Sequence, residues 1–449
     1  MGVSEEDGME DRQSGFGRRD FLKAAGLGAL GTVVTGGVVG ALGWGQAPAS
    51  AATTTLAFAA TDGYFTMPNR TDDPLYIFGF IPVSPSATIS SLISTYKGHA
   101  QASAPTIDVK QNDDVKITLT NLGLIQRPDL TDSHTIHWHG FDTPSPLNDG
   151  VPEVSVAVPI AKQVTYFYRP HREGTYMWHC HFEDVEHVQM GMAGIVFVRP
   201  LQDGSTFTFD GKTFTKFAYN DGNGSTGYHR HFAILLNEVW SNFHDGDRDI
   251  QESIATDYDP QWFTLNGRTY PETTLPNDYP GPNPPASSSG ITTHNANTGS
   301  DDVSQPNSSL VQVNPGERVL LRLANLGYQQ HAMQLPGIPM HVVGQDASLL
   351  RNGSGPGAVD TSYFTNTLYI GPGEARDVLF DAPGYDAGRP SGSDGRGNYN
   401  VYYFKNRDWR RLSSLGARGP GGAPSGMMTE VRVYQSSLPA QTVVSQTYV

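Results

Sequence analysis

The chain holds one cysteine and 14 histidines. The cysteine, Cys180, sits between His179 and His181, with His134 upstream and His187 and Met192 downstream. A lone buried cysteine is usually a small hydrophobe, but every neighbour here is a metal-ligand type. A thiolate, two imidazoles and a weak axial thioether form the set that holds a blue, type 1 copper. Zinc also accepts Cys and His, but a Met in the fourth place is a copper feature. The spacing assigns His134, Cys180, His187 and Met192 to one metal.

A second pattern overlaps the first. His137 and His139 flank Trp138, and His179 and His181 flank Cys180. On a strand, residues two apart face the same way. Two such strands side by side present four imidazoles to one spot and turn Cys180 to the opposite face. A metal at Cys180 would then lie behind a strand whose histidines hold a second centre. The peptide links from Cys180 to His179 and His181 would join the two.

The elements that must position these residues read as short strands between Gly, Pro, Asn and Asp turns, with no sustained helical period. Self-comparison shows a duplication. Asp113–Gly123 resembles Glu317–Gly327, and His134–Gly140 resembles His331–Gly337. Gly174–His181 resembles Gly397–Phe404, and Gly191-Met192 resembles Gly426-Met427. Four blocks in one order imply two β-sandwiches, residues 52–200 and 201–449. The second copy keeps His331 and Met427. Its other aligned positions hold Gln334, Pro336, Tyr402, Tyr403 and Phe404, which places Tyr403 opposite Cys180. Among its remaining histidines only His229-Arg230-His231 has ligand-like spacing. The stretches Leu275–Ser309, Gly384–Asn398 and Gly416–Gly426 read as polar surface excursions.

The net charge of −15 argues against nucleic acid, which needs a basic surface. A single cysteine excludes an internal disulfide. Arg18-Arg19-Asp20-Phe21-Leu22-Lys23 is a twin-arginine pattern. The apolar run Ala24–Leu42 follows, and then Ala49-Ser50-Ala51 as a cleavage pattern. The expectation is a twin-arginine signal peptide over residues 1–51, export to the periplasm or beyond the cell, and no membrane association after cleavage.

The patterns His134-x-x-His137-x-His139-Gly140 and His179-Cys180-His181, with His187 and Gly191-Met192, resemble the multicopper oxidase family, which includes laccases and the related copper nitrite reductases. Phe263–Arg268, Pro315–Arg318 and Pro372–Val378 resemble the family's copper-free middle domain. The resemblance implies an all-β fold of two cupredoxin-like Greek-key β-sandwich domains. It implies a type 1 copper and a type 2/type 3 centre, with His187 as the electron entry point. It also gives Asp149, in Asp149-Gly150-Val151-Pro152, a part in delivering protons, although Asp-Gly is equally an ordinary turn. The interval from Cys180 to His187 is two residues longer than is usual in laccases. The family's trinuclear cluster uses eight histidines, and the first copy offers four. Either a neighbour's second copy supplies unrecognised ligands, or two loaded copies pool theirs, or the cluster is reduced. Two-domain relatives usually form trimers, so a homo-oligomer, a trimer, is expected. The implied activity is one-electron oxidation of a phenolic, aromatic or metal-ion donor, coupled to dioxygen reduction. The alternatives are nitrite reduction and a non-enzymatic electron carrier or copper-binding protein.

Overall fold

The computed structural model describes residues 52–277, 292–352, 357–389, 391–415, 422 and 424–448. The twin-arginine reading and its cleavage site at residues 1–51 lie outside them. The first sandwich contains β1 (Thr53–Phe65), β2 (Leu75–Pro82), α1 (Ile89–Tyr96), β3 (Ile107–Lys110), β4 (Asp114–Asn121), β5 (His137–His139), β6 (Gln163–Tyr168), β7 (Gly174–His179), α2 (Asp184–Met190) and β8 (Ala193–Arg199). One sheet runs β2-β1-β4-β6, the other β3-β8-β7-β5. Period-two alternation in β4 sends Val115, Ile117 and Leu119 inward and leaves Lys116 exposed. Those residues meet Trp138, Trp178 and Tyr168 in one apolar core.

The second sandwich contains β9 (Arg230–Val239), α3 (Ser241–Arg248), β10 (Trp262–Leu265), β11 (Val311–Val313), β12 (Arg318–Asn325), β13 (His331–Gln334), β14 (Met340–Gln345), β15 (Leu368–Ile370), β16 (Glu374–Asp381), β17 (Gly397–Asn406) and β18 (Met428–Tyr434). Its sheets run β10-β9-β12-β16-β14 and β11-β18-β17-β13-β15, with short strands added at the margins. Four strands of each sheet repeat the order of the first sandwich, and β14 and β15 are additions at one edge of each. The parallel pairs recur too: β1 with β4 matches β9 with β12, and β3 with β8 matches β11 with β18.

Two sequence expectations change. The polar excursion at Leu275–Ser309 includes a hairpin, Thr292–Asn295 with Ser300–Val303, and Asn295 donates to the Gly98 carbonyl in the first sandwich. The alignment of Tyr403 with Cys180 is also wrong. In β5 and β7, His137 faces His179. In β13 and β17, the matching Gln334 faces Lys405. The residue after Lys405, Asn406, therefore stands where Cys180 does. The hydrogen bonds agree: Cys180 N–H donates to Met192 O at 3.1 Å, and Asn406 N–H to Met427 O at 2.9 Å.

The sandwiches meet along β7 and β8. Met177, Ile195 and Phe197 pack against Ala233, Leu235 and Ala324. This explains why β12 is buried along its whole length rather than alternately: its second face lies against the first sandwich.

Candidate metal centre

The strand period does to β5 and β7 what the sequence implies. Trp138 and Trp178 turn into the core, fully buried, while His137, His139 and His179 share the other face. Their ring nitrogens lie within 4.8 Å of one another. His181 joins them, its ring centroid 5.0 Å from that of His137. Main-chain acceptors set two of the tautomers. His137 Nδ1–H donates to Asp149 O at 2.6 Å and His179 Nδ1–H to Cys180 O at 2.8 Å. Each then carries its lone pair on Nε2, the atom left to ligate, and that of His179 lies 3.4 Å from His139 Nδ1. Burial pushes His179 down to about 3, and it also lowers His137 and His139. Imidazoles that stay neutral are ready to ligate a metal.

The Asp149 carboxylate stands 3.6 Å from His137 Nδ1. The loop approaches so closely because its next residue is glycine. Gly150 has φ +79°, and a Cβ there would lie 2.2 Å from Ile136 O. The set lies at the seam with the second sandwich: a Cβ at Gly373 would be 3.5 Å from His139 Nε2.

Cys180 follows directly on the end of β7 and turns to the opposite side. Its Sγ lies 3.2 Å from His187 Nδ1 and 3.8 Å from His134 Nδ1, and all three residues are buried. Met192 is buried in the same apolar cluster. A soft thiolate with two imidazoles and a nearby thioether suits copper, so the residues fit the metal. Burial pushes His134 well below its ordinary range. Burial also lowers His187, but Cys180 and Asp132 outweigh it and raise the group to about 10. Neighbours that hold a proton there also favour a metal cation. α2 explains the long Cys-to-His interval. Glu183 enters it in the left-handed region and Gly191, φ 123°, closes it, so one helical turn presents His187.

Three supporting residues escaped the sequence reading. Thr135 N–H points at Cys180 Sγ at 3.3 Å, and the Thr135 hydroxyl accepts from His181 N–H at 2.8 Å. Asp132 holds a carboxylate oxygen 3.7 Å from His187 Nε2. The third, Arg411, belongs to the second sandwich, where its Nη1 lies 2.8 Å from Nδ1 of His331, the counterpart of His134. A Thr or Asp near a ligand carries no spacing signal that would have marked it.

Oxygens of Asp132, Glu183 and Glu186 lie within 4.8 Å of one another and of His187. They adjoin a cleft of about 420 Å³ that Glu183, Glu186, Asp247 and Glu252 help to line. His229 and His231 do not join either set. His229 Nδ1 accepts from Arg318 N–H, and His231 stacks on Tyr228. In the second sandwich, the corrected register puts Gln334, Pro336, Lys405 and Arg407 where the first has four histidines.

Residues 86–203, the segment that carries both sets, match the family model described as multicopper oxidase. Laccase-15 of Oryza sativa subsp. japonica is 25% identical over 293 residues, 64% of this chain and 38% of that protein. Laccase-5 of Arabidopsis thaliana is 29% identical over 254 residues, 55% of this chain and 33% of that protein. The chain thus spans well under half the length of these relatives. Among solved structures, blue copper oxidase from Nitrosomonas europaea superposes with TM-score 0.54 at 20% identity, covering 84% of this chain and 85% of that one. The multicopper oxidase mgLAC does so with TM-score 0.55 at 19% identity, covering 86% and 88%. These two likenesses concern the fold.

Proposed function

We propose that this chain, which carries a multicopper oxidase domain in residues 86–203, is a copper oxidoreductase that takes single electrons from a donor at one centre and delivers them to dioxygen at another. The observation that carries this reading is the pair of ligand sets on opposite faces of β7, joined through the Cys180 backbone. Copper, when bound, supplies one-electron redox chemistry at both sites. The protein's own part is to hold His134, Cys180, His187 and Met192 in a dry pocket and to pass electrons along the bonds to His179 and His181. Asp149, beside His137 at the seam, is positioned to relay protons to the four-histidine set.

The donor approaches His187 through the acidic cleft. Its carboxylates favour a cation, so a reduced metal ion suits this mouth better than a neutral phenol. Export by the twin-arginine route rests on Arg18-Arg19 and the run behind it. A homo-oligomer, a trimer, is our reading of the assembly, because the first sandwich supplies four of the eight imidazoles that a trinuclear cluster takes. Lys405 and Arg407 stand at the second sandwich's matching positions, so a neighbour's ligands would come from elsewhere on its surface.

The test combines copper per chain, paramagnetic resonance and oxygen uptake on the assembled protein. The expected result is more than one copper per chain, a type 1 signal with a second copper species, and oxygen consumption with ferrous or phenolic donors. One copper per chain with no oxygen uptake sinks the proposal. A type 1 signal alone would make the chain an electron carrier, the reading favoured by the ligand-poor second sandwich.

A further inference from the structure

We infer that the second sandwich retains a type 1 metal site in closed form, with the Arg411 guanidinium standing where a cuprous or cupric ion would place its charge. This rests on the ligand assignment in the first sandwich and not on the proposed oxidase activity.

The positions correspond one by one. Asn406 replaces Cys180, as the paired registers show. Met427 replaces Met192. Met192 N–H donates to His187 O at 2.9 Å, and Met427 N–H donates to Arg411 O at 2.9 Å, so Arg411 replaces His187. His331 replaces His134. The quartet His134, Cys180, His187 and Met192 has become His331, Asn406, Arg411 and Met427.

The polar atoms still converge. Arg411 Nη1 donates to His331 Nδ1 at 2.8 Å, and the Asn406 amide is 3.2 Å from the same nitrogen and 3.3 Å from Met427 Sδ. With donors on Nδ1, the ring carries its proton on Nε2, which donates to Glu238 Oε1 at 2.5 Å. That is the tautomer of a histidine ligating through Nδ1. A cationic guanidinium thus receives the lone pair a metal would take.

Glu238 has its own counterpart. In the first sandwich, Asp62 accepts from Ile125 and Gln126 N–H. In the second, Glu238 accepts from Tyr328 and Gln329 N–H. One extra methylene carries the Glu238 carboxylate to His331. Asp62 binds the Tyr76 hydroxyl instead, and His134 Nε2 has no hydrogen-bond partner. The second sandwich has therefore gained an anion and a cation around its histidine and lost the thiolate and the second imidazole. An ion pair bridged by imidazole replaces a metal, so this half folds without one.

The test rebuilds the site. Asn406→Cys with Arg411→His is made in a Cys180→Ser background, which removes the native thiolate ligand. The expected result is one additional copper per chain over Cys180→Ser alone, with blue thiolate-to-copper absorption regained. A folded triple variant with neither gain overturns the inference. Asn406→Cys alone, with the guanidinium in place, should stay copper-free at this site, and copper uptake there overturns the role of Arg411. Should the triple variant not fold, nitrogen-15 resonance of the unaltered protein decides, with His331 assigned by comparison with His331→Gln. A protonated Nε2 beside a bare Nδ1 supports the inference, and a protonated Nδ1 refutes it.

Discussion

Asp377→Asn takes one charge out of the seam between the sandwiches. Asp377 on β16 lies directly across from Arg322 on β12. Arg322 is fully buried and Asp377 is 1% exposed. Oδ1 accepts from the Thr175 hydroxyl at 2.6 Å and Oδ2 from the Tyr219 hydroxyl at 2.6 Å, with Arg322 Nη1 3.5 Å away. The guanidinium also lies over the Phe197 ring, 4.4 Å from its centroid. Asparagine keeps the shape and much of the hydrogen bonding, so the perturbation is mainly the charge. Removing one partner of a buried pair costs about 3–5 kcal/mol, because the other charge stays buried and uncompensated. That lowers the folding equilibrium by about two to three and a half powers of ten. Arg322→Met should cost a similar amount for the opposite reason. Together the two changes remove both charges, so the double variant should be more stable than the sum of the single losses predicts, by about 2 kcal/mol or more. Urea denaturation of the metal-free protein supplies all four stabilities. Thr175 is four residues before His179 on β7, so loss of blue absorption in copper-loaded Asp377→Asn would show the loosening reach the site. A cost below about 1 kcal/mol, or strict additivity, refutes the reasoning.

Cys180→Ser should abolish the blue absorption while leaving the circular dichroism unchanged. Blue colour in that variant would dismiss Cys180 as the thiolate ligand. His137→Ala should remove the second copper centre and lower oxygen uptake by about two powers of ten or more but keep the blue colour, because His137 and Cys180 use opposite strand faces. Full oxygen uptake would disprove that placement. His244 is buried on α3, donates to Tyr76 O at 2.6 Å, and is pushed down to about 4 by burial. The unfolded chain, near 6.5, takes up this proton first, so stability is full above that pH and is lost as pH falls towards 4. At pH 5 the loss is about 2 kcal/mol. His244→Gln should flatten the acid limb by that amount, and an unchanged slope would contradict the assignment.

The strand period made the two ligand sets legible, because alternation alone puts His137 and His139 on one face and Trp138 on the other. The duplication was equally legible in Asn-Leu-Gly and Gly-Met, which end or precede strands in both copies. The register of β17 was not. Gly397-Asn398-Tyr399 looks like Gly174-Thr175-Tyr176, but β17 runs ten residues against six in β7. Three extra residues between Tyr399 and the ligand position, which β7 lacks, shift the match from Tyr403 to Asn406. Arg411, Glu238 and Asp132 stayed hidden because their meaning comes from pairing across long stretches of chain. The helix at Asp184–Met190 was hidden by its brevity, since seven residues, about two turns, set up no detectable period.

β5 is three residues long, lies at the edge of its sheet and pairs only with β7. So short a ladder is little barrier to local opening. Trp138, stacked on Tyr168 at 4.2 Å, pins its middle from one side only. On the other side, an ion gripped by His137 and His139 together with His179 and His181 would act as a rivet through two adjacent strands. Loading would then slow the fraying of this edge far more than it raised the stability of the whole molecule. The difference between empty and filled protein would appear as slower amide exchange at Trp138 and His139, within a fold that is otherwise the same.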